Sequence, residues 1–153
     1  MSTEEEIKYD KSLLNKESYI GEFNITKEMI DSFCKSTEET NPLFTDEEYA
    51  NNSEHRGIIA PPTLCNIFMS KVTRPDIKIE FGDGTFFAGQ ALDNVNPIKP
   101  GDKLTVNTRL KEVFAKTGRS GKMIFEVWET KFANQEGLTT TLVRESFVHR
   151  KRS

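Results

Sequence analysis

The feature that most constrains this chain is a change of hydrophobic period at Ile77. Before it, apolar residues recur at helical spacing. Met29, Ile30, Phe33 and Cys34 share one face behind Thr26, a good helix cap. Leu64, Ile67, Phe68 and Val72 form a second stripe, which Cys65 and Met69 widen almost all round. A helix that is apolar on most sides is buried on most sides, so residues 62–72 are expected to be a central helix opened by Pro62. After Ile77 the pattern alternates. Ile77, Ile79 and Phe81 are followed by Leu104, Val106, Thr108 and Leu110, then by Ile124, Glu126, Trp128, Thr130 and Phe132. Helices first and strands afterwards predict an α+β domain, with helices on one face of a curled antiparallel sheet.

The punctuation supports this order. Residues 1–10 read as a solvated tail, and 11–21 as a segment that docks on the domain surface. Phe23 and Ile25 suggest a short strand. The first helix should end near Glu39, and Arg74-Pro75-Asp76 should end the central one. Gly82-Asp83-Gly84 predicts a hairpin turn between a strand at 77–81 and one at 86–98, with Gly89 as a bulge. Residues 99–102 and 134–137 read as turns, KTGRSGK at 116–122 as a basic hairpin loop, and 138–149 as the last strand.

At 153 residues the chain fits one domain. Its hydrophobic fraction, 35%, is low, yet 11 Phe supply large buried area. A net charge of -3 argues against nucleic acid as the main partner. Cys34 and Cys65 make neither a disulfide framework nor a metal site, which fits a reduced, cytoplasmic setting. The acidic start MSTEEEIKYD is no signal peptide, and no apolar run is long enough for a membrane span. The only histidines, His55 and His149, lack metal-ligand spacing and read as structural. No metal or cofactor is implied.

The stretch EETNPLFTDEEYA at 38–50 is the candidate site. Pro42 pushes Asn41 out of helical geometry, and Asp46 can cap a second short helix. The resulting corner presents Glu39, Asn41 and Phe44 from a short loop.

Four stretches in order, TNPLFTDEEYA, GIIAPPTL, FFAGQALDNVNPIKPGDKL and FEVWETKFANQEG, resemble the MaoC-like hydratase/dehydratase family. The third, a strand followed by a Pro-Ile turn and Gly-Asp, is a frequent feature of that family. The paired prolines and FAGQ resemble the N-terminal, fatty-synthase-like half of its two-half members. The resemblance implies a single hotdog domain over residues 19–153, a sheet wrapped around a central helix, behind an extension at 1–18. It implies an acyl-CoA or acyl-carrier-protein thioester as ligand in fatty acid metabolism. It also implies pairing, as a homodimer or with a second hotdog subunit. Active members carry D-x-N-P-x-H at the corner, whose Asp and His activate a water that adds across an enoyl thioester. Here Glu39 stands at the Asp position and Phe44 at the His position. Phenylalanine cannot transfer a proton, so the chain is expected to be a non-catalytic, substrate-binding subunit that pairs with a dyad-bearing one. Phe44, Ile59, Ala60 and Gly89 are the expected substrate contacts. The alternatives are a lyase that works through Glu39, or a thioester-binding assembly protein without turnover.

Overall fold

The alternating half forms long strands. The computed structural model describes residues 6–152. The strands are β1 (Ser18–Asn24), β2 (Gly84–Asn94), β3 (Lys103–Gly118), β4 (Gly121–Ala133) and β5 (Thr139–Arg150). They form one antiparallel sheet in the order β1-β3-β4-β5-β2. The helices α1 (Lys27–Ser36), α2 (Pro42–Thr45), α3 (Glu47–Asn51) and α4 (Asn66–Met69) are short. The sheet register sets the core. Val106 lies opposite Phe132, and Phe132 opposite Thr141, so these three side chains share the inner face. Ile30 and Cys34 of α1 and the irregular segment carrying Ile58, Leu64 and Phe68 cover that face. Phe68 stacks on Phe23 of β1 with ring centroids 4.4 Å apart. Further along the sheet, Ile77, Leu110 and Trp128 make a second cluster, against which Tyr9 and Leu13 pack.

Several expectations need correction. The central helix at 62–72 is α-helical only over Asn66–Met69. Around it the backbone closes three-residue turns, Leu64 N–H to Pro61 O, Ile67 N–H to Leu64 O and Val72 N–H to Met69 O. The cause is local: Pro61 and Pro62 lack donors, and Cys65 gives no side-chain cap. The stripe Leu64, Phe68 and Val72 is still buried, while Ile67 is 40% exposed. Burial therefore follows one face of this segment and not all sides.

The strand expected at 77–81 joins no ladder of the sheet. Its backbone bonds the N-terminal segment, with Asp10 N–H to Ile77 O at 2.7 Å and Glu80 N–H to Lys8 O at 3.3 Å. Residues 8–10 are thus pinned and not a free tail, whereas residues 1–5 of the expected tail lie outside the described residues. The expected Asp83-Gly84 hairpin is absent, because β2 pairs with β5. Gly82 carries the positive φ, 79°, and a Cβ there would lie 2.7 Å from the Arg150 carbonyl oxygen. The strand expected over 86–98 runs instead from Gly84 to Asn94 and has its register shift between Phe87 and Gly89, where a bulge was expected. The basic loop shrinks to Arg119-Ser120, since Gly118 pairs with Gly121.

The first helix ends as a Schellman motif. Glu39 N–H reaches Cys34 O at 2.8 Å and Glu38 N–H reaches Lys35 O at 3.4 Å, with Glu38 at φ 55°. A non-glycine residue there carries a backbone cost on the order of 1 kcal/mol. Glu38→Gly should therefore raise unfolding stability by up to about 1 kcal/mol, as measured by urea denaturation.

On the outer face Glu129 accepts from Arg109 at 2.9 Å and Lys111 at 3.0 Å. Burial pushes its carboxyl up, but the bonds and charges of Lys111 and Arg109 together outweigh this and hold it below the ordinary 4.5. A depressed carboxyl contributes stability that is present above its unfolded value and lost as pH falls through its folded value. The stability gap between the wild type and Glu129→Gln should be constant from neutral pH down to near 4.5 and shrink below it, read from urea unfolding across that range.

Candidate functional site

The corner between α1 and α3 is built from reciprocal caps. Glu39 Oε1 accepts the backbone N–H of Thr40 and of Asn41, each at 3.1 Å. Asn41 Oδ1 accepts Leu43 N–H at 3.0 Å and so caps α2, with Pro42 in its first turn. Asp46 Oδ1 accepts Tyr49 N–H at 3.1 Å and caps α3. The Glu39, Asn41 and Asp46 side chains thus all hold the backbone.

Two backbone bonds then fix the next segment. Ile59 N–H donates to Leu43 O at 3.2 Å, and Ala60 N–H donates to Ile98 O at 2.8 Å. The segment is thereby pinned between the corner and the link from β2 to β3. A cleft of about 260 Å3 opens there, lined by Leu43, Phe44, residues 59–62 and residues 94–98. Phe44, Ile59 and Ala60 are all buried and form its apolar wall.

Three of the residues singled out in the sequence, Phe44, Ile59 and Ala60, therefore meet at one cleft. Glu39 and Asn41 stand beside it in the corner but do not line it. Gly89 lies at the bulge of β2, opposite Ser146, away from the cleft. The far wall at 94–98 was not singled out as a contact. Its only signal was the Asn-Pro-Ile turn within the stretch that carried the family resemblance. Asn94 and Asn96 are the polar side chains of the lining, and Asn96 already donates to Thr139 O at 2.7 Å.

No carboxylate, imidazole, thiol or amine lines the cleft. His55 is outside it, with its Nε2 3.7 Å from Glu54 Oε1. Burial pushes both thiols up, Cys34 with help from the Glu39 charge and Cys65 to about 11. Neither is a thiolate at neutral pH. Among the described residues no group of three His, Cys, Asp or Glu side chains could hold a metal ion. Among them, too, no helix is long and apolar enough to cross a membrane.

The family described as FAS1-like, dehydratase domain region, matches residues 16–141. A UPF0336 protein of Streptomyces coelicolor is 26% identical over 116 residues, covering 71% of this chain and 76% of that one. Among solved structures, the MaoC-like dehydratase from Rhodospirillum rubrum is similar with a TM-score of 0.70 at 21% identity, covering 92% of this chain and 94% of that one. The C-terminally truncated HadBC (3R-hydroxyacyl-ACP dehydratase) complex from Mycobacterium tuberculosis gives 0.68 at 18% identity, covering 91% and 98%. At these identities the structural likenesses show a shared hotdog fold, and the family match reaches from just before β1 into β5. The chain therefore belongs to the family described as FAS1-like, dehydratase domain region, and has the hotdog fold.

Proposed function

We propose that this protein binds the acyl part of a coenzyme A or carrier-protein thioester in the cleft at Phe44, and does not hydrate or dehydrate it alone. In this reading it is the substrate-binding subunit of an (R)-specific enoyl-thioester hydratase or 3-hydroxyacyl-thioester dehydratase, and a partner hotdog chain supplies the acid–base pair. The observation that carries this reading is the cleft lining, apolar with two asparagines and without a titratable group. Adding water across an enoyl thioester needs a base and an acid within hydrogen-bond reach of one water. In this reading Phe44, which lines the cleft, occupies the position of the proton carrier and cannot act as one. Glu39 keeps a carboxylate, but its Oε1 is engaged by two backbone amides. At about 260 Å3 the cleft is just under the size of ordinary ligand pockets, roughly 300–1,000 Å3, and suits a short acyl group.

Pairing belongs to the same reading. β2 is an edge strand of 11 residues whose one charged side chain is Asp93. It exposes Phe87 at 58%. An edge with one charge and an exposed phenylalanine invites a further strand, and a two-fold pair would close it. The HadBC neighbour is itself a complex of hotdog chains, which favours a second subunit of that kind. We place the protein in the cytoplasm and treat residues 19–153 as the hotdog domain behind an extension at 1–18.

Light scattering at micromolar concentration should find dimers of this chain, or a one-to-one complex once a dyad-bearing chain is added. A persistent monomer under both conditions would refute the pairing. Crotonyl-CoA should not be hydrated by this chain alone and should be hydrated by the mixture. Ala60→Phe, which fills the cleft, should weaken butyryl-CoA binding at least tenfold by calorimetry. Turnover by the chain alone that disappears in Glu39→Gln would instead establish an active hydratase.

A further inference from the structure

The opposite end of the sheet holds a constellation that the cleft does not use. Thr85 on β2 lies opposite His149 on β5, and His149 lies opposite Ile124 on β4. His149 Nδ1 is 3.2 Å from Thr85 Oγ1, and His149 Nε2 is 3.0 Å from Glu126 Oε2. Glu126 Oε1 accepts the indole N–H of Trp128 at 3.1 Å. The chemistry of the partners assigns the proton. A carboxylate only accepts, so the hydrogen of the neutral ring sits on Nε2 facing Glu126. Nδ1 is then the acceptor, and the Thr85 hydroxyl donates to it. A hydroxyl, a base and a carboxylate that orients the base thus stand in a line from surface to interior. Thr85 is exposed, whereas the His149 and Glu126 side chains are only 16% and 15% exposed.

From this geometry we propose that Thr85 is an acyl-accepting nucleophile, with His149 as its general base and Glu126 as the positioning residue. The arrangement meets the nucleophile–base–orienter test that hydroxyl-dependent acyl transfer requires. Its substrate class is activated acyl esters and thioesters. Ile124, the register partner of His149, helps to line a neighbouring cavity of about 590 Å3, whose walls carry Ile7 and Phe81, the carboxylates Glu6 and Glu80 and the cations Lys8 and Lys151. Thr85 and His149 do not line it, so the triad by itself sets no preference for the charge of the acyl compound. In the first step the Thr85 oxygen bonds the acyl carbon, its proton passes to Nδ1, and the bond to the leaving thiolate or alkoxide breaks. His149 returns that proton to the leaving group. Water, activated by the same ring, then cleaves the Thr85 ester. The net reaction is ester or thioester plus water to acid plus alcohol or thiol.

Nine residue steps along β2 separate Thr85 from Asn94 at the cleft, roughly 30 Å at strand rise, so this site and the proposed acyl cleft stand or fall separately. The test treats the full chain with p-nitrophenyl acetate, follows p-nitrophenolate release, and maps acetylated peptides by mass spectrometry. Wild type and Thr85→Ser should release p-nitrophenolate and carry acetyl on residue 85. Thr85→Val, which suits an edge strand, should lose that label and slow release at least tenfold. Glu126→Gln should slow acetylation at least tenfold without moving its position. Butyryl-CoA binding should be equal in all four. An unlabelled residue 85 in the wild type, or release by Thr85→Val as fast as wild type, overturns the proposal and assigns the hydrogen-bond chain to holding β2 against β5.

Discussion

One face of a five-stranded sheet has to be covered, and among the described residues only one helix reaches ten residues to do it. Much of the architecture follows from that shortage. Val106, Phe132 and Val143 are fully buried on the inner face, and α1 alone cannot shield them. The remaining cover is irregular backbone, residues 58–72, which brings Ile58, Leu64, Cys65 and Phe68 onto the sheet. Irregular backbone in such a place must satisfy its polar groups outside a regular ladder. It does so through Ile59 N–H to Leu43 O, Ala60 N–H to Ile98 O, and a run of three-residue turns. The bonds that close the core are therefore the bonds that shape the cleft.

The corner spends its polar side chains on its own backbone. Asn41, Pro42 and Asp46 still cap and start helices, as their residue types require. Glu39 satisfies the amides of Thr40 and Asn41. Phe44 turns its ring into the cleft wall and joins the buried core. A proton carrier at that position would have to be kept wet or paired, whereas a phenyl ring gains by burial. Stability and proton transfer make opposite demands on this position.

Charge is distributed with a similar division of labour. Arg74 reaches under the sheet to pair with Glu145, which also accepts from Gln90 at 3.3 Å, and the Arg74 guanidinium lies 5.2 Å from the Phe147 ring centroid. This largely buried group ties the segment after α4 to β5. On the outer face the largely buried Glu129 of β4 draws in the half-exposed Arg109 and Lys111 of β3, so cross-strand ion pairs tie these two strands.

What the sequence by itself determined were the local features, those whose cause lies within a few residues. Thr26, Asn41 and Asp46 cap helices because their side chains reach amides two or three positions ahead. The alternation through Leu104, Val106, Thr108 and Leu110 forces one face inward, and the Gly89 interruption marks the β2 bulge. The resemblance carried by four ordered stretches gave the family. Where two local signals competed, pattern misled. The apolar stripe at 62–72 suggested a long helix, yet prolines and a missing cap left four helical residues. Alternation at Ile77, Ile79 and Phe81 suggested a sheet strand, yet this segment bonds residues 8–10 and joins no ladder of the sheet. Only the tertiary structure decided which distant residues meet: Phe44 with Ala60 and Asn96 at the cleft, and Thr85 with Glu126 and His149 at the other end. Such meetings depend on strand order and register, which many residues fix together through the shared burial of one face and which no short stretch encodes.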